Sequence, residues 1–312
     1  MIKIILKIII FLSFTNFCYA QIDSIQLLKP TGTYPIGTTT HEWLDETREM
    51  KISASLIEKR NIITQIWYPA TIDSNAIPAP YSALSTDYRN TYTNSYLRAS
   101  FANEIKKQCP LIIIVPGRGM ERFVYTTIAE DLASHGFVVA AVDLPEIGYV
   151  LYQDGLVLKP SNEFKTPNGM MAGPYEKVDE FFEKPTEIGY QDVLFAIKKI
   201  NELNKIDANN KLKNKINTNN IGIFSHSLGG RIAGELTARY KKIDALVAME
   251  GIAPRDVRYE GKINVPSLML CSAGTLKYAA ENYDIFIENR KNIVYMTELI
   301  GFGHNSLTDN PY

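Results

Sequence analysis

Two apolar runs flank one amphipathic stretch, and together they restrict the fold more than anything else in the chain. "PLIIIVPG" (Pro110 to Gly117) and "FVVAAVDLP" (Phe137 to Pro145) have no polar alternation. Strands of this kind are buried on both faces, as in a parallel sheet. Between them "VYTTIAEDLASHG" has helical spacing and closes on Gly136. The pattern then repeats. "NNIGIFSH", "DALVAMEG", "VPSLMLCSAG" and "NIVYMTELIG" read as strands, while "GYQDVLFAIKKINEL", "LGGRIAGELTARY" and "AENYDIFIENR" read as helices. Strand alternating with helix predicts an α/β fold with a mostly parallel central sheet flanked by helices. Residues 30–70 add strands with turns, punctuated by Pro30, Gly32, Pro35, Gly37 and Pro69.

The predicted organisation is a single domain over 21–312 after a signal peptide at 1–20. Lys3 and Lys7 precede an apolar run from Ile8 to Phe14, and small or polar residues lead to Ala20. That is the layout of a secretory leader cut after Ala20, so the expected location is secreted or periplasmic, with no stable membrane span after cleavage. Ser13, Thr15 and Asn16 break the run before it reaches spanning length, and the residues before Cys18 lack the small-residue pattern of a lipoprotein. Three insertions are expected: 71–108, a surface excursion ending in a short helix; 145–188, a lid or pocket wall; and 204–220, a solvated connector. A net charge of −1 gives no reason to expect a nucleic-acid partner. Cys109 and Cys271 are too few for a disulfide framework and read as buried thiols, and no metal-ligand spacing is present.

The chemistry gathers at "IGIFSHSLGGRIAGEL". A strand running into a helix through one serine is a nucleophile elbow, which needs small residues two positions either side of the tip. Ser227 is the tip, with Ser225 and Gly229 flanking it; the usual motif has glycine where Ser225 stands. Of four histidines, His304 in "LIGFGHNSLTD" follows the last strand, where this topology delivers a base beside the elbow. His226 points away from its neighbour at a sharp turn, His135 closes a helix, and His41 lies in the N-terminal strand region. Glu250, directly after "DALVAM", is the better carboxylate to orient the base; the next candidate, Glu281, sits well into a helix. Oxyanion donors are expected from the backbone N–H groups of Leu228, at a helix start, and Arg118, in "VPGRGME". The same glycines would serve an ordinary strand-to-helix turn. The Arg118 side chain is also placed to favour a carboxylate or phosphate on a substrate.

The segments "PTGTYPIGTTTHEWLDETRE", "QIWYPA", "AEDLASHGFVVAAVDLPE", "FSHSLGG", "AMEG" and "GFGHNSLTD" together resemble bacterial relatives of the platelet-activating-factor acetylhydrolases, α/β-hydrolase serine esterases. The resemblance runs from about Pro30 to Asp309. It implies Ser227 as nucleophile, Glu250 as acid, His304 as base and Arg118 as first oxyanion donor. It also implies hydrolysis of short-acyl or phospholipid-type esters with no metal or cofactor, so the expected partner is a small ester or lipid substrate. Glu250 stands where such relatives usually have Asp. The sequence ends at Tyr312, soon after His304, where relatives often continue with a further helix; a less firmly held His304 loop, or a chain that continues beyond this sequence, is the expectation. The same parts would serve a polyester, dienelactone or carbohydrate-ester hydrolase. A non-catalytic binding protein of this fold would tolerate the departures too.

Overall fold

Strand β6 (Cys109–Val115) and strand β7 (Val138–Val142) pair in parallel at the centre of the sheet, and β7 is buried along its whole length. Their side chains alternate between two cores. Ile113 and Val115 join the cluster under α2 (Tyr175–Lys205), α3 (Leu228–Arg239) and α5 (Ala273–Glu288). Ile114 joins the opposite cluster with Trp67 and the buried face of α1 (Thr126–Ser134). Period-two alternation between two apolar layers is why these strands carry hydrophobic residues at nearly every position. In this computed structural model the described residues are 27–309, except 54, 83, 85–90 and 208–210. The leader expected at 1–20 lies outside them.

Parallel pairing continues from β6 through β10 (Ile216–His226), β11 (Ile243–Met249), β12 (Ser267–Cys271) and β13 (Val294–Glu298). On the other side the sheet turns antiparallel with β2 (Ile57–Thr71) and β1 (Ile36–Lys51). The edge is β4 (Tyr92–Leu97) and β3 (Ile77–Pro80), with β5 (Ser100–Phe101) on β2. Sequential strands joined by helices on both faces are the α/β-hydrolase layout. Among the described residues no helix is long and apolar enough to cross a membrane.

The three insertions differ in detail from expectation. Among the described residues, 71–108 forms β3 to β5 and no helix: Ser95 to Leu97 pair with β1, and Ser100 and Phe101 with β2. Edge pairing takes the backbone bonds a short helix would have used. In 145–188 the chain makes the small hairpin β8 (Val150–Leu151) and β9 (Val157–Leu158). It then enters α2 at Tyr175, well before the helix read from Gly189 onward. Pro185 lies inside α2, where its missing N–H sacrifices one helical bond. Helix α2 is fastened to the sheet by Arg60, buried on β2, which forks onto Asp192 at 2.6 and 2.7 Å and reaches Glu146 at 2.7 Å. That cluster ties the insertion and α2 to β2. Strand β10 begins at Ile216, inside the segment expected to be connector.

Candidate active site

Ser227 sits between the end of β10 and the start of α3 with φ 54° and ψ −121°. A non-glycine residue held there costs on the order of 1–3 kcal/mol, and such strain persists where the surroundings over-determine it. The surroundings do so through close backbone approach. A Cβ on Gly229 would lie 2.2 Å from the Val115 carbonyl oxygen, and one on Gly251 would lie 2.3 Å from that of Ser227. Ser225 is the other flank. It is fully buried, and its hydroxyl donates to the Val247 carbonyl at 3.0 Å, so the extra atoms replace a glycine without an unsatisfied group.

His304 brings Nε2 to 2.9 Å from Ser227 Oγ. Its other nitrogen, Nδ1, lies 3.5 Å from Glu250 Oε2. Glu250 follows β11 with φ 52° and is buried. Burial alone would raise its pKa; hydrogen bonds from His304, Thr275 and Ser272 outweigh that and hold the carboxyl below the usual range. The Ser272 N–H donates to Oε1 at 2.5 Å, the Ser272 hydroxyl to Oε2 at 2.8 Å, and the Thr275 hydroxyl to Oε2. Serine, imidazole and an ionised acceptor therefore stand in one line, in an order suited to moving a proton off a hydroxyl.

The turn after β6 lies against the elbow: a Cβ on Gly117 would be 3.2 Å from Ser227 Cβ. Within it, Gly117 N–H donates to Tyr125 Oη, Gly119 N–H to Ile147 O and Met120 N–H to Gly117 O. Arg118 N–H has no acceptor among the described residues. Leu228 opens α3, and a first-turn N–H has no intrahelical partner. Both expected oxyanion donors thus remain free beside Ser227. A cavity of about 240 Å³ opens there. One wall is the 145–188 insertion, through Thr166, Met171, Tyr175, Val178 and Phe182, which matches the expected pocket wall.

His226 has a structural role that the sequence hid. It is buried, and its Nδ1 accepts from the Tyr125 hydroxyl at 2.9 Å. Its Nε2–H donates to the backbone carbonyl of His304 at 2.8 Å. The loop is held again beyond the base, where Asp309 N–H donates to Val124 O at 2.7 Å. Asp309 Oδ2 also accepts the free Thr127 N–H in the first turn of α1 at 3.0 Å. The loose His304 loop expected from the short tail is not what the structure shows. Neither anchor has a local sequence signal, because the partners lie far apart in the chain. Ser272, read in the sequence as the end of a strand, caps α5 instead, and the helix begins at Ala273, earlier than the "AENYDIFIENR" segment suggests.

Burial, with the nearby His304 ring, pushes the His226 pKa down to about 4. An unfolded histidine titrates near ~6.5, so between these values the unfolded chain binds more protons. Stability from this group is complete above the unfolded value and is lost as pH falls toward the folded one, by about 3 kcal/mol. We expect the melting temperature of the native chain to fall more steeply than that of His226→Asn between pH 7 and 4.5. Parallel curves would remove His226 as the cause.

The remaining histidines keep structural positions. His135 closes α1 and meets Thr31 Oγ1 at 2.9 Å; His41 stacks on Trp43 at 5.4 Å. Glu281 is exposed on α5. Cys109 and Cys271 are free, buried thiols whose pKa burial raises to about 11. Among the described residues no group of three His, Cys, Asp or Glu side chains is arranged to hold a metal ion.

Two family models match the chain. Residues 20–146 match platelet-activating factor acetylhydrolase, isoform II, and residues 209–299 match the BAAT / acyl-CoA thioester hydrolase C-terminal family. The first match contains Arg118 and the second contains Ser227 and Glu250; His304 lies beyond both. No curated protein sequence matches significantly. Among 444 matching chains of solved structures is a ferulic acid esterase from Streptomyces cinnamoneus. It is 23% identical, with a TM-score of 0.70 over 92% of this chain and 79% of the other. At that identity the likeness is one of fold.

Proposed function

We propose that the chain, an α/β-hydrolase fold akin to the platelet-activating-factor acetylhydrolases, is a carboxylic ester hydrolase, and more narrowly a secreted serine esterase acting on short-acyl or phospholipid-type esters. The observation that carries it is the 2.9 Å contact between Ser227 Oγ and His304 Nε2, backed by Glu250 at Nδ1. Ser227 Oγ attacks the acyl carbonyl carbon as its proton passes to His304 Nε2. The carbonyl π electrons move onto oxygen, which the N–H groups of Arg118 and Leu228 receive. Collapse of this intermediate breaks the acyl–oxygen bond, and the proton on Nε2 goes to the departing alkoxide. Water then repeats the sequence on the acyl-enzyme, releasing the acid and restoring Ser227. Glu250 keeps the proton of His304 on Nδ1, so that Nε2 faces Ser227 as the acceptor.

A small cavity suits a short acyl chain, and the Lys3, Lys7 and Ile8–Phe14 leader supports export. Labelling with a fluorophosphonate probe tests the reading. One adduct per chain on the Ser227 peptide is expected, and the same mass spectra are expected to begin the exported chain at Gln21. A folded sample that takes no label and cleaves no short-chain aryl ester would make the protein a binder instead. An N-terminus retaining Met1 would remove export.

A further inference from the structure

Arg118 is an exception among the buried and half-buried arginines. Arg60 pairs with Asp192 and Glu146, Arg122 with Asp143, and Arg231 and Arg258 with Asp179. Arg118 lines the cavity beside Ser227, half-buried, and among the described residues its guanidinium has no hydrogen bond, ion pair or ring contact. Burial without compensation lowers its pKa. A guanidinium set into a substrate cavity without a partner is the arrangement an anionic ligand would complete.

A second observation points the same way. Asp179 is one carboxylate shared by two buried arginines, meeting Arg231 at 2.7 Å and Arg258 at 2.6 Å. Two guanidiniums thus share one directly paired carboxylate, and Arg231, which lines the cavity, keeps a buried Nε that finds no partner among the described residues. Glu250, the carboxylate that lines the cavity, is already engaged by Ser272, Thr275 and His304. Behind Arg231 an outer groove carries the exposed Glu176, Glu180 and Glu183. Their charge is solvated and weakens the pull of Arg231 more than that of Arg118, which makes Arg118 the main contact. Tyr175 and Tyr278 also line the cavity.

We infer that the site selects esters carrying a carboxylate or phosphate a few bonds from the scissile carbonyl, with that anion paired to the Arg118 guanidinium. The inference rests on the serine-esterase reading. It narrows that reading from short-acyl or phospholipid-type esters to those whose anion can reach the Arg118 side chain.

Matched substrates test it. The acyl arm compares 4-nitrophenyl hemiglutarate with 4-nitrophenyl valerate. The alcohol arm compares 4-acetoxybenzoate and 4-acetoxyphenyl phosphate with phenyl acetate, and so separates carboxylate from phosphate. In at least one arm the native chain is expected to favour the anionic ester by about tenfold or more in kcat/KM, mainly through KM. Arg118→Gln is expected to remove that preference, with the neutral ester in the same variant as its reference, and Arg118→Lys to keep part of it. The native ratios stand even if a variant does not fold. Neutral esters cleaved with no anionic preference in either arm would overturn the inference while leaving the esterase reading intact. So would a preference unchanged in a folded Arg118→Gln. No cleavage of any ester, with no fluorophosphonate label, would sink both.

Discussion

Ser227→Ala is expected to lower kcat/KM for a short-chain aryl ester by about four to six orders of magnitude, with the melting temperature nearly unchanged. The loss is large because Ser227 Oγ lies 2.9 Å from the imidazole nitrogen that would take its proton, and alanine puts no nucleophile there. Stability is spared because alanine inherits the same φ of 54° and the same neighbours, losing one partly exposed hydrogen bond. Any residual rate would come from the oxyanion donors and binding alone. Turnover within tenfold of the native chain would show that Ser227 is not the nucleophile. Single-turnover release of 4-nitrophenol is the appropriate measurement, because a missing burst separates lost acylation from slow deacylation.

Glu250→Gln is expected to cost about two to four orders of magnitude in kcat, with a much smaller effect on KM. Oε2 now faces three donors: the hydroxyls of Ser272 and Thr275 and the Nδ1 side of His304. An amide can keep its oxygen on the Ser272 N–H only by turning its NH₂ toward those three. The hydroxyls can rotate to accept. The imidazole can adapt only by moving its proton to Nε2, which then faces Ser227 as a donor and cannot act as the base. Glu250→Asp keeps the charge with a shorter reach and is expected to lose less. Equal activity in Glu250→Gln would mean that the acid contributes shape and not tautomer control. The two variants, assayed on one neutral ester, separate these outcomes.

Much of this site can be read in the sequence because its parts sit at element ends. Ser227 stands between a strand and a helix, Glu250 directly follows a strand, and His304 follows the last one. Each position is fixed by a local pattern and the order of elements. The parallel sheet is legible for a related reason: strands such as β7 are buried on both faces and show it in composition. The early start of α2 is not legible, because Pro185 and Gly189 read as breakers while Arg60 and Asp192 hold the helix in place. The edge strands β3 and β4 have no alternation to announce them. Pairs such as Tyr125 with His226, or Thr127 with Asp309, join residues far apart in the chain and leave no trace in spacing.

The His226 bond to the His304 carbonyl makes the elbow and the base loop parts of one linkage. The tether starts one residue before Ser227 and ends on the backbone of His304. A small displacement of the strand end would then carry both reacting groups in the same direction, leaving the gap between them nearly constant. The spacing is gauged within the linkage and does not depend on two loops keeping station separately. Because the grip is on a carbonyl, it holds the backbone of the loop and leaves the His304 ring to Ser227 and Glu250.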